Sequence, residues 1–215
     1  VLELSSFQLH TMKQSPDIAV ITNVTPNHLD WHKNFDEYKN SKKAVFAYQN
    51  DNGKVVLNFD NSITREFGNE AKNVIYFSSK AVPDNGYCLK DNKIVFISGG
   101  EIQREVIDIN DIYIPGMHNV ENYMAAIAAT DTLINDQIVL EVAREFKGVP
   151  HRIEFVRELD GVKYYNDSIA SSPARTTAGL VSFGGKKVIL IAGGYDKKIP
   201  FDDFGAVVND HVKKL

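Results

Sequence analysis

DIAVITNVTPNHLDWHKNFDEYKNSKKAVFAYQNDNGKVVLNF, residues 17–59, holds the pattern that decides the fold class. DIAVITNV (17–24) and KVVLNF (54–59) are short runs rich in Val and Ile, bounded by polar turn residues, and read as buried strands. Residues 35–48 between them have the length and period of a helix. NVIYFS (73–78) repeats the strand pattern after a second helical stretch at 61–71. Two parallel strands need a long crossover between them, usually a helix. The alternation therefore predicts a mostly parallel sheet with helices on both faces. Further out, YCLK, KIVFIS and EVIDI within 86–114 are strands with short connections, and Asp91-Asn92 suits a tight turn. They predict a small antiparallel patch.

PGMHN (115–119) then feeds a helix expected over about 119–134, and a second, about 136–147, stops at Gly148 with Pro150 behind it. After Pro150 the alternation restarts with HRIEFVREL, VKYYND, a helix near 173–182, the strand-like KVILIAGG and a last helix. The restart places a domain boundary between residues 149 and 150. The class read from the pattern is α/β, with 1–149 and 150–215 as the two domains.

Composition removes several alternatives. With 43% hydrophobic and 24% charged residues, the chain is neither disordered nor collagen-like. No run approaches the roughly 18 apolar residues of a membrane span, so no membrane partner is expected. The 24 basic residues against 28 acidic ones give a net charge of −4, so no positive field argues for nucleic acid. A lone Cys88 excludes an internal disulfide and a Cys-rich zinc site, and fits a reducing, cytoplasmic setting. The chain opens on VLELSS, a strand-like run without an initiator methionine, and closes on FDDFGAVVNDHVKKL, which reads as an unfinished helix with no closing strand. Both ends are expected to be cuts from something longer.

Several polar groups fall where an open α/β sheet binds ligands, at the carboxyl ends of strands. In ELSSFQ, Glu3 is expected to end a strand ahead of a helix; a carboxylate among oxygen donors suits Mg²⁺, and helix capping by Ser5 or Ser6 is the alternative. TNVTPNHLD (22–30) gathers Asn23, Thr25, Asn27, His28 and Asp30 in one turn, either a solvated loop or a site in which His28 ligates a metal. His32 has no such placement. On the helix at 35–48, Phe35, Tyr38, Val45 and Phe46 form an apolar stripe that includes Lys42, with Lys39 and Lys43 on its flank. An inward lysine either snorkels or, with a lowered pKa, reacts with CO₂ to give a carbamate, turning a cation into an oxygen ligand. Asn119 suits a helix N-cap, while Asn122 one turn on offers paired donors and acceptors to a nucleobase edge. Arg152 stands just past the boundary, either reaching phosphates or paired with Glu154. Asp167 ends a strand where an acid can accept from a ribose hydroxyl, and Gly193-Gly194 with Lys197 follow another.

The order of these motifs is more specific than any one of them. ELSSFQL, NVTPNHLD, YKNSK, GMHNVENYMAA, HRIE, NDS and GGYDK in succession resemble the Mur ligase family over residues 1 to about 205. The resemblance implies most of a central ATPase-type domain followed by the first part of a C-terminal Rossmann-like domain, with the family's P-loop outside these residues, since no GxxxxGK[ST] occurs in them. It implies an ADP-forming ligase that uses ATP and Mg²⁺ to join D-glutamate to UDP-N-acetylmuramoyl-L-alanine through an acyl phosphate, with this chain inactive by itself. Carried over by position, Glu3, His28 and Lys42 match metal-side residues, Lys42 being the one the family carbamylates. Asn119 and Asn122 match adenine-side residues, Arg152 a γ-phosphate contact, Asp167 a ribose contact and Lys197 a lysine near the incoming amino acid. Ser5, Gln8 and Asn23 lie in substrate-side motifs. Where many members read NDSKATN this chain reads NDSIASSPAR, so Ile169 replaces a lysine and Arg175 is the candidate substitute. A sister or folate-type amide ligase and a non-catalytic nucleotide-binding module are the rival readings.

Overall fold

A computed structural model of the chain describes residues 1–26, 31–195 and 201–215. They divide into two compact units: Val1–Asp111 with Val120–Val142, and Ile112–Asn119 with Ala143–Leu215.

In the first unit, β1 (Ile18–Ile21), β2 (Lys54–Asn58), β3 (Val74–Ser78) and β4 (Asn85–Lys90) pair in sequence order as parallel neighbours. β5 (Lys93–Ser98) and β6 (Glu101–Asp108) extend the sheet in antiparallel fashion, completing the order β1-β2-β3-β4-β5-β6. The connections explain the change of direction. The crossovers between β1, β2 and β3 hold α2 (Phe35–Ala47) and α3 (Ser62–Phe67), whereas β4 and β5 are separated by Asp91-Asn92 alone. Both turn residues take positive φ, 49° and 61°, as a two-residue hairpin that follows the twist of its strands requires.

Val55, Val56 and Leu57 of β2 are fully buried, the mark of a strand covered on both faces. Val55 and Leu57 join Ala19, Ile21, Tyr38, Phe46 and Phe67 in the cluster beneath α2 and α3. The opposite face lies towards α4 (Met117–Thr130), where Lys54 Nζ donates to Ala128 O at 3.2 Å and to Asp131 Oδ1 at 2.5 Å. α5 (Asp136–Glu145) follows.

The second unit contains the antiparallel hairpin β7 (Glu154–Leu159) and β8 (Val162–Asn166), then α6 (Pro173–Val181), β9 (Val188–Ile189), α7 (Phe204–His211) and β10 (Val212–Lys214), with β9 and β10 parallel.

Three expectations are corrected. Residues 1–5 form no strand; Val1 and Leu2 are exposed, and α1 starts at Ser6 (Ser6–His10), so Glu3 precedes a helix without ending a strand. A strand exists only as part of a ladder, and no described backbone bond pairs residues 1–3 with a neighbour. KVILIAGG keeps only two strand residues, because β10, its one neighbour among the described residues, is three residues long. That neighbour is itself the closing strand not expected after the last helix.

Candidate functional site

On the first unit the site residues gather around α1 and the start of α2. Ser5 caps α1: its hydroxyl accepts from Gln8 N at 3.3 Å, while Gln8 Oε1 accepts from Ser5 N at 2.9 Å. This reciprocal capping box satisfies helix donors that would otherwise lack partners, so of the two expected caps, Ser5 and Ser6, it is Ser5 that caps α1. Asn34 caps α2, accepting from Glu37 N at 2.8 Å. Seven residues into α2 stands Lys42, half-buried, its ammonium 5.7 Å from the Tyr38 ring centroid. Burial holds its pKa below the usual lysine value, and the negative charge of Glu3 opposes that shift in part. Its neighbours are bound otherwise. Lys43 pairs with Glu70 at 2.5 Å, and Lys39 with Asp36 at 2.8 Å. The stripe therefore separates one desolvated lysine from two paired ones.

His32, which its spacing did not single out, is the buried centre of this region. It is 2% exposed, its Nε2 lies 3.0 Å from Ser6 Oγ, and its ring contacts Trp31 at 4.5 Å and Tyr38 at 5.3 Å. Ser41, also buried, bonds His10 Nδ1 at 3.0 Å and donates to Glu37 O at 2.8 Å. No local motif marks either residue. Only the packing of α1 on α2 brings them together.

Asn23 Oδ1 accepts from Asn61 Nδ2 at 2.7 Å, tying the loop after β1 to the N-cap of α3. Asn122 is exposed on α4. His28 and Lys197 lie outside the described residues. Among the described residues, no three His, Cys, Asp or Glu side chains gather closely enough to hold a metal; Glu3 supplies one hard oxygen donor, and the desolvated Lys42 amine is the group a carbamate would form on.

On the second unit, two loops are joined. Asp167 Oδ1 accepts from Ile153 N at 3.1 Å, Ile169 N donates to His151 O at 3.3 Å, and Asn166 Nδ2 lies 2.8 Å from His151 Nδ1. Arg152 is carried between His151 and Ile153, whose φ values are 66° and 46°. A β-branched residue at positive φ is strained, and the Asp167 bond holds it there. Gly179 of α6 leaves room for that carboxylate: a Cβ would stand 2.8 Å from Asp167 Oδ2. Glu154 accepts from His151 N at 2.8 Å, and the expected alternative, an Arg152–Glu154 ion pair, does not occur among the described residues. Arg175 Nη1 donates to Ile169 O at 3.4 Å, putting a guanidinium beside the residue that replaces the family lysine. Asn119 is not the N-cap, because α4 begins two residues earlier; it is buried and donates to Pro115 O at 2.7 Å.

The model of the Mur ligase middle domain matches residues 1–130. The chain belongs to the Mur ligase family. Among curated Mur ligases, the UDP-N-acetylmuramoylalanine--D-glutamate ligase of Acetivibrio thermocellus is 59% identical over 100% of this chain and 46% of its own length. The enzyme of the same name from Clostridium beijerinckii is 54% identical with the same coverage. The chain thus spans under half the length of these relatives. Among solved structures, MurF ligase from Thermotoga maritima in complex with ADP superposes with a TM-score of 0.63 at 21% identity, covering 91% of this chain and 47% of that one. The UDP-N-acetylmuramoylalanyl-D-glutamyl-2,6-diaminopimelate--D-alanyl-D-alanyl ligase of Acinetobacter baumannii gives 0.66 at 16% identity, covering 96% of this chain and 46% of that one. These two likenesses establish the shared Mur ligase fold.

Proposed function

We propose that this chain carries the central catalytic region of an ATP-dependent, ADP-forming ligase that adds D-glutamate to UDP-N-acetylmuramoyl-L-alanine in peptidoglycan precursor synthesis. The observation that carries the reading is 59% identity, along the whole of this chain and 46% of the relative, to a ligase named for that reaction. In this reading residues 1–149 belong to the central ATPase-type domain and 150–215 to the first part of the C-terminal domain. The partners are small molecules, and the setting is cytoplasmic; no helix among the described residues is long and apolar enough to cross a membrane.

The chemistry joins a carboxylate to an amine. Phosphoryl transfer to the alanyl carboxylate gives an acyl phosphate, the amine of D-glutamate attacks its carbonyl, and phosphate leaves. Such transfer depends on positioning and on neutralising phosphoryl charge. Arg152 supplies a guanidinium on a loop braced by Asp167, and Glu3, His28 and a carbamylated Lys42 are the residues to hold Mg²⁺, which when bound offsets charge on the phosphates. Burial favours carbamylation of the Lys42 amine, since only the neutral amine attacks CO₂ and burial raises its neutral fraction. Asn119, Asn122 and Asp167 serve the nucleoside; Ser5, Gln8, Asn23, Lys197 and Arg175 serve the substrates. The test is ADP release by the full-length protein with UDP-N-acetylmuramoyl-L-alanine and D-glutamate, L-glutamate or L-lysine. D-Glutamate is expected to support turnover; preference for either other amino acid would replace this reading with a sister ligase.

A further inference from the structure

His32 is nearly inaccessible, yet one of its ring nitrogens is unsatisfied. Nε2 meets Ser6 Oγ at 3.0 Å, while Nδ1 has no hydrogen-bond partner among the described residues. The nearest charge is Glu37 Oε2 at 3.8 Å, already accepting from Lys33 N at 2.7 Å. A buried polar atom left in this way is costly, so the ring is held for what its other nitrogen and its faces do. Glu37, His32 and Ser6 lie in the order carboxylate–imidazole–hydroxyl, but Glu37 does not bond Nδ1, so they form no relay. Ser6 is also only 2% exposed, so no acyl substrate reaches its oxygen. The Nε2–Ser6 bond serves to position.

Two things are positioned. Ser6 opens α1 directly after Ser5, three residues beyond Glu3, so the bond to His32 fixes that turn. On another side the imidazole packs edge-on to Tyr38, the ring beneath the Lys42 ammonium. We propose that His32 is a positioning residue, bonding Ser6 and supporting Tyr38 so that the ELSS turn and the Lys42 helix keep a fixed relation. The assignment rests on the proposed ligase reading for its consequence in catalysis, but its geometry is independent of any bound metal.

The test compares His32→Gln, whose amide reaches the place of Nε2, with His32→Asn, whose amide stops at the place of Nδ1. Both lose the ring, so their difference reports the Ser6 bond. Ser6→Ala removes the same bond with a smaller disturbance. In metal-free full-length protein, the Leu9 amide, which bonds Ser5 O at 3.0 Å, reports the integrity of α1 by hydrogen exchange. Protection in His32→Asn and Ser6→Ala is expected to fall roughly tenfold relative to His32→Gln, the value of one hydrogen bond. Adding Ser6→Ala to His32→Asn should cost nothing more. With activity as the readout, the two damaging variants should raise the Mg²⁺ needed for half-maximal turnover by a similar factor and leave the KM for D-glutamate within about twofold. Equal protection in the Gln and Asn variants, or an unchanged Leu9 amide in Ser6→Ala, overturns the assignment. A full-length protein that does not use D-glutamate overturns the ligase reading instead, and the exchange comparison then decides His32 alone.

Discussion

At the scale of single residues, Lys42 and Lys43 make the sharpest contrast. They are adjacent in sequence and about 100° apart around α2; one is desolvated, and the other is paired to Glu70. In the full-length protein, Lys42→Ala is expected to abolish most turnover, with partial recovery on adding a short carboxylic acid, while Lys43→Ala stays near the parent rate and costs at most about 1 kcal/mol in stability. Similar rates for the two variants would remove Lys42 from the site. Lys42 also sets a pH dependence. Its folded pKa lies below its unfolded value of 10.5, so between the two the unfolded chain binds more protons and stability rises with pH. Lys42→Met should therefore be more stable than the parent at neutral pH, with the advantage shrinking as pH climbs towards 10.5 in denaturant titrations. Lys42 was legible because a cation on an apolar stripe is visible in the periodicity. His32 was not: its burial comes from α1 packing over α2, a long-range event that no spacing encodes. Ser5 was legible as a cap, and its partnership with Gln8 follows the i, i+3 pattern of a capping box.

Among the elements, the alternation at 17–78 foretold β1, α2, β2, α3 and β3, because runs with a single period dominate those stretches. The Asp91-Asn92 turn was equally readable. Asn92→Gly should leave stability unchanged or slightly raised, whereas Asn92→Val should cost about 1–2 kcal/mol, since a β-branched residue resists positive φ; thermal unfolding measures both. Residues 1–5 and 187–194 read as strands yet fall short, for one reason. Apolar β-branched composition favours a strand, but the ladder needs a paired edge, and pairing is a property of neighbours distant in sequence. The brace at Asp167 was hidden likewise, since nothing local announces that Gly179 clears space for it. Gly179→Ala should displace the carboxylate and release the strain around Arg152, lowering turnover of the full-length enzyme about as much as Asp167→Ala, with folding retained by circular dichroism.

For the whole molecule, the 215-residue chain tested alone is expected to show no D-glutamate-dependent ADP release, as its sequence contains no GxxxxGK[ST] phosphate loop. Measurable turnover would refute that dependence. Arg152→Ala in the full-length protein should lower the rate at saturating ATP, because it removes charge compensation on the phosphates. The two compact units carry a last consequence. Residues Ile112–Asn119 belong with Ala143–Leu215, joined through bonds such as Tyr113 N to Ala143 O at 2.9 Å, although Val120–Val142 returns to the first unit. The units are therefore interleaved along the sequence and are not two successive stretches of chain. A protease nicking the chain between Val142 and Pro150 cannot free the second unit whole, because its first eight residues stay on the amino-terminal piece. The two products should stay together on a sizing column until a denaturant parts them.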